Sequence, residues 1–210
     1  MIERSRRDEL LEKAAHLFRA KGYHATSMKD IAAELEILPG SLYHHIDSKE
    51  SLLVEIMQRG IEVLLEYVRP VVASDAPPIA KLRDLVRFHI IAIAEHPDVL
   101  TVFLHEMKSL PEARRQEQLQ LRDEYERLLM SVIEEGIACG DFRPLHPRMA
   151  TFAILGMVNW LYAWYRPTGS LSPDEIADEF LTLIVQGLAT EETREGERVP
   201  STPPSLLSNL

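Results

Sequence analysis

The sequence contains few of the residues that identify several common classes of protein. Its single cysteine, Cys139, excludes an intramolecular disulfide framework, and its Cys and His residues show no spacing typical of zinc ligands. Among 210 residues there are 23 Lys and Arg against 33 Asp and Glu, which gives a formal net charge of -10. Proteins that neutralise DNA phosphates usually have the opposite balance. Composition alone therefore favours a globular protein of a reducing cytoplasm over one that binds nucleic acid.

Long apolar runs are also scarce. The N-terminus lacks the apolar centre of a secretory signal. The one uncharged stretch, residues 149–165, is at the lower limit of the roughly 17 to 25 residues that span a bilayer, and it contains Gly156 and Asn159. We therefore predict a buried helix there, a cytoplasmic location and no membrane partner.

The charge is distributed unevenly along the chain. Residues 1–50 hold 8 Lys and Arg against 9 Asp and Glu, which leaves 15 and 24 for residues 51–210. A small N-terminal domain over 1–50 can therefore present a locally basic face, while an acidic domain over 51–189 disfavours non-specific binding. The tail, residues 190–210, combines charge, Ser, Thr and three prolines, a composition that predicts disorder.

Apolar residues recur at helical spacing through most of the chain, and no stretch has the period of a strand. Prolines and glycines separate the successive helical runs. The nine predicted helices begin with residues 4–21, continue with two short helices around 28–35 and 39–46 and a long helix that ends near Val72, and then cover 79–95, 98–108, 112–139, 147–166 and 173–189.

Residues 26–49 are typical of a helix-turn-helix, two short helices joined by a tight turn. In such a unit the second helix enters the major groove, so its outer residues must be small or form hydrogen bonds while its inner face packs on the unit. Gly40 and Ser41 would let the backbone approach DNA, and Lys29 and Lys49 would reach the flanking phosphates. The outward side chains that follow are Tyr43, His44 and His45, between the inward Leu42 and Ile46.

The run Thr-Ser-Met-Lys-Asp-Ile-Ala-Ala-Glu-Leu at 26–35, followed by Ser-Leu-Tyr-His-His-Ile-Asp-Ser-Lys-Glu-Ser-Leu at 41–52, resembles the signature of the tetracycline-repressor (TetR) family of transcriptional regulators. The resemblance covers residues 8–57. It implies an all-α, nine-helix fold, with three N-terminal helices that bind DNA, a connecting helix, and a ligand-binding and dimerisation body. It implies a double-stranded DNA operator, a homodimer formed through the last two helices, and no cofactor. By position, the family's DNA contacts fall on Lys29, Pro39, Gly40, Ser41, Tyr43, His44, His45 and Lys49.

Glu36 departs from this pattern, because the family often has glycine in the turn between the two short helices. A left-handed conformation would cost a non-glycine residue roughly 1 kcal/mol there. We predict a strained turn rather than the loss of the motif.

The segment Asn-Trp-Leu-Tyr-Ala-Trp-Tyr-Arg-Pro at 159–167 is similar to a TetR subgroup whose members respond to acyl-CoA thioesters. Coenzyme A carries several negative charges, so an acidic body would need local cations, and arginine suits bidentate phosphate contacts. The candidate cations are Arg114, Arg115, Arg122, Arg127 and Arg166, and an apolar tunnel for the acyl chain could be lined by Phe88, Ile91, Phe103, Met107, Met130 and Met157. The predicted effector site comprises Phe88, Phe103, Met107, Arg122, Met130, Met157, Asn159, Trp160, Trp164 and Arg166.

The same residues have a purely structural interpretation. Large rings dominate interface cores, so the aromatic residues of 159–167 suit dimer packing better than ligand contact. The apolar residues of the tunnel are equally consistent with a helical core, and each arginine with an exposed helix surface.

The sequence therefore predicts a homodimeric repressor, with two recognition helices about 34 to 36 Å apart on a near-palindromic operator. An acyl-CoA of lipid or fatty-acid metabolism would favour a conformation in which that spacing no longer fits.

Two other functions remain open. The first keeps the repressor but makes its effector a lipophilic drug or cation and its target an efflux gene; it requires a carboxylate in the pocket, for which Glu106 is the candidate. The second is an enzyme or carrier of acyl groups, which requires a nucleophile with a placed base. Cys139 beside Gly140 has no such motif around it, so we predict that the protein is not an enzyme.

Overall fold

The computed structural model describes residues 6–44 and 46–191, and helices joined by turns dominate this part of the chain. His45 and most of the tail predicted to be disordered lie outside the described residues. The helices are α1 Arg6–Lys21, α2 Met28–Glu34, α3 Pro39–Leu42, α4 Lys49–Val72, α5 Pro78–Glu95, α6 Pro97–His105, a 3-10 helix Glu106–Ser109, α7 Glu112–Cys139, α8 Pro147–Asn159, α9 Leu161–Trp164 and α10 Pro173–Leu188. The predicted all-α fold is confirmed.

Three predicted helices differ from the structure. The predicted run 98–108 is α6 followed by the 3-10 helix Glu106–Ser109. The recognition helix α3 is a single turn that ends at Leu42 rather than a helix over 39–46. The predicted run 147–166 is two helices, because the Ala163 N–H donates to the Trp160 carbonyl at 3.0 Å, the tighter spacing of a 3-10 turn.

Serine side chains begin α2 and α4. Ser27 Oγ accepts from the Asp30 N–H at 3.2 Å, and the Asp30 carboxylate accepts from the Ser27 N–H at 2.7 Å, so the two residues form a capping box. The Ser27 hydrogen bonds lower the pKa of Asp30. Ser48 and Ser51 form the same reciprocal pair at the start of α4.

Helix α2 ends with Glu36 in the left-handed conformation, at a φ of 56°. The Ile37 N–H donates to the Ala32 carbonyl at 3.0 Å and the Glu36 N–H to the Ala33 carbonyl at 3.1 Å. These two bonds form a Schellman motif with Glu36 at the position that glycine usually occupies. The strained turn predicted at Glu36 is confirmed.

Replacing Glu36 with glycine is expected to raise the free energy of unfolding by about 0.5 to 1 kcal/mol, because glycine adopts a positive φ without steric cost. For a chain of this size the melting temperature should rise by roughly 1 to 4 °C. Glu36→Gln is the matched control, since it removes the charge and keeps the Cβ. An equal rise in the melting temperature of the Glu36→Gln variant would show that the strain comes from charge repulsion and not from the backbone conformation.

Helix α4 joins the N-terminal unit (α1–α3) to the body (α5–α10). Its first half buries Leu52, Leu53 and Ile56 beside α1, and its second half buries Leu64 and Leu65 among α5, α6 and α7. One continuous apolar core therefore runs from the N-terminal unit into the body. In the part of the chain that the structure describes, no helix is both long and apolar enough to cross a membrane.

After α7 the chain turns back and crosses the end of α10. Gly140 makes the turn at a φ of 90°. Phe142 is buried against Gly136, and its N–H donates to the Gly136 carbonyl at 2.9 Å. The Arg143 N–H donates to the Leu188 carbonyl at 2.8 Å. This turn, residues 140–143, fastens the end of α7 to the end of α10.

Candidate DNA-binding and effector-binding sites

The outer face of α3 is exposed and its inner face is docked on the N-terminal unit. Leu42 and Ile46 are buried, whereas Tyr43 is 56 % exposed. At Gly40 no atom lies within 4 Å of the position that a Cβ would occupy, so packing within the chain does not require this glycine. The other predicted contacts on this face that the structure describes, Pro39, Ser41 and His44, are exposed as well. The arrangement suits insertion of α3 into a groove of DNA.

The two lysines predicted to bind phosphate differ in their surroundings. Lys29 is exposed on α2. The Lys49 ammonium donates to the carbonyls of Tyr23 at 3.0 Å and Thr26 at 2.9 Å, and it lies 4.3 Å from the centre of the Tyr23 ring. Lys49 therefore holds the loop between α1 and α2, a role that the sequence did not indicate. Its phosphate contact stays a prediction.

A groove of about 380 Å³ lies between α1 and α3. Arg6 is at its edge and is exposed, and Ser41 lines it from α3. Arg7 also lines it but is bound by two nitrogens to the Glu55 carboxylate of α4, with Nε 2.7 Å from Oε1, and this hydrogen bond raises the pKa of Arg7. Sequence reasoning missed the groove because its walls are far apart along the chain.

Helix α6 contacts the N-terminal unit at both of its ends. At its start, Asp98 accepts from Arg19 at 2.9 Å and lies 3.1 Å from Nδ1 of His16. Just beyond its end, the Glu106 carboxylate accepts from the Tyr23 N–H at 3.3 Å. Exposed ion pairs such as those of Asp98 contribute about 0 to 1 kcal/mol each, so they orient α1 on α6 more than they stabilise it.

The Glu106 carboxylate is engaged at the contact between the body and the N-terminal unit. Its second oxygen accepts from the Ser109 hydroxyl at 2.6 Å, and Ser109 in turn lies 3.3 Å from His24. The role of Glu106 as a pocket carboxylate for a cationic effector stays a prediction.

A small cavity in the body lies between α5, α7 and α8. Its volume is about 10 Å³, which leaves room for roughly one water molecule. Apolar side chains form most of its wall, and two polar residues, His89 and Tyr125, complete it. The lining residues are Leu85, Val86, His89, Tyr125, Leu129, Ile154, Leu155 and Val158.

His89 and Tyr125 form a buried neutral pair. Nδ1 of His89 lies 2.7 Å from the Tyr125 hydroxyl, and the side chain of Asn159 also bonds to His89. Burial lowers the pKa of His89 to about 4, and it raises the pKa of Tyr125. Sequence reasoning missed this pair; the available signal was a histidine on the apolar face that Leu85 and Ile93 define on α5.

Acid is expected to weaken the fold through His89. The pKa of His89 is about 4 in the folded protein, against the ordinary value of 6.5 that applies to the unfolded chain. Between these two pH values the unfolded chain binds more protons than the folded protein. The free energy of unfolding therefore falls as the pH falls from 6.5 towards 4. Between pH 7 and pH 5 the loss should be about 2 kcal/mol. Urea unfolding across this range measures it. The double variant His89→Leu with Tyr125→Phe removes both polar partners together, and an unchanged pH slope in that variant would assign the effect to other groups.

The residues of the predicted acyl tunnel are not brought together. Phe88 stacks on Tyr67 of α4, with ring centres 3.8 Å apart. Phe103 is buried on α6, with its Cβ 3.1 Å from the position of a Cβ on Gly60. The remaining predicted tunnel residues are only partly buried and lie on four different helices; they are Ile91, Met107, Met130 and Met157. Of these residues, none lines the body cavity.

The predicted cations lie on α7, with the exception of Arg166 in the loop after α9. Arg122 bonds to Glu126 at 3.0 Å along α7, and Arg166 is exposed and donates to the Tyr165 carbonyl at 2.9 Å. The neighbouring α7 arginines contact residues of their own helix in the same way; they are Arg114, Arg115 and Arg127. In this conformation the arginines form no common phosphate site.

The predicted aromatic residues of 159–167 are mostly at the surface. Trp160 is 60 % exposed and Trp164 is exposed as well. Tyr162 packs edge-on against His105, with ring centres 4.5 Å apart, which connects α9 to the end of α6. Asn159 is the one member of the predicted effector site that bonds to a residue of the body cavity, through His89.

Helices α8 and α10 each expose apolar side chains, and we call this set of residues the α8–α10 strip. Its large side chains are exposed, with Leu183 at 62 %. On α8 the strip follows the spacing of one helix face. Gly156 lies on it in mid-helix, and no atom lies within 4 Å of the position of its Cβ. The strip comprises Met149, Phe152 and Gly156 of α8, Trp160 directly after it, and Leu183 and Gly187 of α10.

Two known protein families match this chain, one over its N-terminal part and one over its body. The family described as bacterial regulatory proteins, tetR family, matches residues 10–56, and the family described as tetracyclin repressor-like, C-terminal domain, matches residues 75–188. The HTH-type transcriptional repressor KstR2 of Rhodococcus jostii is 38 % identical over 187 residues, which cover 88 % of this chain and 92 % of that protein.

Two solved structures are similar over most of the chain. The ketosteroid transcriptional regulator KstR2 of Mycobacterium tuberculosis has a TM-score of 0.85 at 31 % identity and covers 90 % of this chain and 97 % of its own. AibR in complex with isovaleryl coenzyme A and operator DNA has a TM-score of 0.79 at 33 % identity, with 85 % and 97 % covered.

Proposed function

This chain belongs to the TetR family, and from that premise we propose that it is a homodimeric repressor that leaves its operator when an acyl-CoA binds the body. As a member of this family it is a DNA-binding transcriptional regulator and not an enzyme. The proposal divides the chain into a DNA-binding domain over residues 1–50 and a ligand-binding and dimerisation domain over 51–189.

The exposed face of α3 is the observation that carries the DNA-binding part. Buried Leu42 and Ile46 fix the helix on the N-terminal unit, and exposed Tyr43 and His44 with the uncovered Gly40 leave its outer face available to base edges. The family match over residues 10–56 supports the same use of this face.

The α8–α10 strip supports the homodimer. A glycine inside a helix costs about 0.5 to 1 kcal/mol relative to alanine, and Gly156 has no neighbour within this chain that would explain it. Close approach of the same strip on a second copy would explain both the glycine and the exposed Phe152 and Trp160. Binding of such a dimer to two half-sites requires its two α3 helices to lie one turn of DNA apart, about 34 to 36 Å.

Two observations support an acyl-CoA as the effector. One is a similar protein that binds an acyl-CoA, and the other is a series of contacts from α9 through α6 to the N-terminal unit. AibR, which binds isovaleryl coenzyme A together with its operator, shares this fold at 33 % identity. In this chain Tyr162 of α9 contacts His105 of α6, and α6 in turn contacts α1 through Asp98. An effector that displaced the exposed Trp160 and Trp164 would act on α9, and α6 would transmit the shift to the N-terminal unit.

The test begins with an operator selected from random DNA by the full-length protein. Fluorescence anisotropy then measures its release by isovaleryl-CoA, palmitoyl-CoA and a steroid acyl-CoA, with free coenzyme A and the free acids as controls. We expect one thioester to weaken operator binding at least tenfold, while the controls have no effect. Release by a lipophilic cationic dye and by none of the thioesters would instead support the efflux repressor.

The same assay tests the recognition face. Tyr43→Ala should weaken operator binding about tenfold or more, because it removes a contact with phosphate or base, whereas Tyr43→Phe keeps the ring and should lose less. Unchanged affinity in Tyr43→Ala would remove this residue from the proposed DNA contacts.

A further inference from the structure

The N-terminal unit and α4 expose large apolar side chains at one place. Among residues 6–44 and 46–72, the exposed ones are Ile37, Leu38 and Tyr43, all within seven consecutive residues at the turn and α3. Leu38 is 76 % exposed, the highest value for any large apolar side chain in the described part of the protein. Exposing leucine to water is unfavourable, so this position calls for an explanation.

Leu38 also occupies a position where a polar side chain would stabilise the fold. It is the N-cap of α3, with φ -68° and ψ 140°, and its side chain makes no capping hydrogen bond. In contrast, α2, α4 and α10 all begin with a serine whose oxygen accepts from the third residue of the helix. Serine, asparagine or aspartate is favoured at such positions. Leu38 therefore lacks both burial and a cap within the chain.

We propose that Leu38 reads thymine, by packing its side chain against the C5-methyl group of thymine in the major groove of the operator. This inference rests on the proposed function as a DNA-binding regulator. The N-terminal residues of a recognition helix lie against base edges, and Leu38 is at that end of α3. Among the groups that base pairs present in the major groove, the thymine methyl is the apolar one. Leucine has no donor or acceptor with which to read the other edges.

Neighbouring residues are consistent with this contact. The next residue, Pro39, has no N–H, and Gly40 has no side chain, so neither presents a side-chain hydrogen-bond donor beside Leu38. Lys29 is exposed on α2 and is available to a phosphate of the same groove.

The experiment removes the methyl group alone. In the operator selected by the wild-type protein, each thymine is replaced in turn by deoxyuridine, which keeps the base pair and lacks the methyl. We expect at least one position in each half-site where the replacement weakens binding about fourfold, since a buried CH₂-sized group is worth about 0.8 kcal/mol.

The variant Leu38→Ser should bind the thymine and deoxyuridine operators equally. Because serine supplies the missing cap, its melting temperature should rise rather than fall, which excludes misfolding as the cause. Ile37→Ser is the matched control: it lies next in sequence but lines the groove between α1 and α3, so it should keep the wild-type discrimination.

Two results would overturn the proposal and leave the DNA-binding function intact. In the first, the wild-type protein binds its operator, and no deoxyuridine replacement changes its affinity. In the second, the Leu38→Ser variant still binds the thymine operator more tightly than the deoxyuridine operator. If the wild-type protein selects no DNA sequence at all, the proposed function fails, and the role of Leu38 fails with it.

Discussion

Replacing Gly136 with alanine is expected to destabilise the protein by about 3 kcal/mol or more. A Cβ at this position would lie 2.2 to 2.8 Å from three atoms of the Phe142 ring, well inside van der Waals contact. The ring is fully buried, and its backbone is held by the hydrogen bond between the Phe142 N–H and the Gly136 carbonyl. The ring therefore cannot move aside without disrupting the turn of residues 140–143.

Thermal unfolding should show the effect as a fall in melting temperature of roughly 6 to 12 °C, from about 2 to 4 °C for each kcal/mol in a chain of this size. Gly40→Ala is the matched control, because a Cβ there meets open space; its free energy of unfolding should stay within about 1 kcal/mol of the wild type or rise. Adding Phe142→Leu to Gly136→Ala should recover part of the loss. A loss below about 1 kcal/mol for Gly136→Ala would mean that the ring is not fixed on the glycine.

Replacing Gly156 with arginine is expected to separate the proposed dimer and to weaken binding to a full palindromic operator at least a hundredfold. The side chain would enter the centre of the α8–α10 strip, where a second copy would bury two unpaired charges close to each other. Within one chain the same position is open, so the folded monomer should persist. Arginine would raise non-specific attraction to DNA, so a loss of affinity can be attributed to the missing partner.

Sedimentation equilibrium reports the oligomeric state, and anisotropy compares the full operator with a single half-site. Affinity for the half-site should change little. Ala73→Arg, at an exposed position after α4, adds the same charge away from the strip and should remain dimeric. A Gly156→Arg variant that stays dimeric would rule out the strip as the interface.

Features that depend on neighbours in the sequence were predictable. The capping box of Ser27 follows from Asp30 three residues later, and the left-handed conformation of Glu36 follows from the turn between α2 and α3. The end of α4 at Val72 follows from the apolar period and the prolines that come after it. Each is fixed by hydrogen bonds or periodicity within a few residues of chain.

Features that depend on distant residues were not predictable from one sequence. Lys49 bonds to carbonyls 23 and 26 residues away, and Glu106 bonds to the backbone of Tyr23, so their local patterns gave no sign of these partners. His89 on α5 bonds to the hydroxyl of Tyr125 on α7, 36 residues away. The effector residues were the least predictable, since a binding site is defined by which helices pack together, and the body cavity has room for only about one water molecule.

The two contacts of α6 with the N-terminal unit restrict how that unit can move. Asp98 and Glu106 are separated by eight residues, or roughly 12 Å along a helix axis at 1.5 Å per residue. Two separated hydrogen-bonded contacts resist twisting of α1 on α6 better than one contact does, and the buried side chains shared by α1, α4 and α6 couple the same helices. Any displacement of α6 should therefore move the N-terminal unit, and α3 with it, as one body. In a symmetric pair, such a movement changes the separation of the two α3 helices while the same twofold axis still relates them.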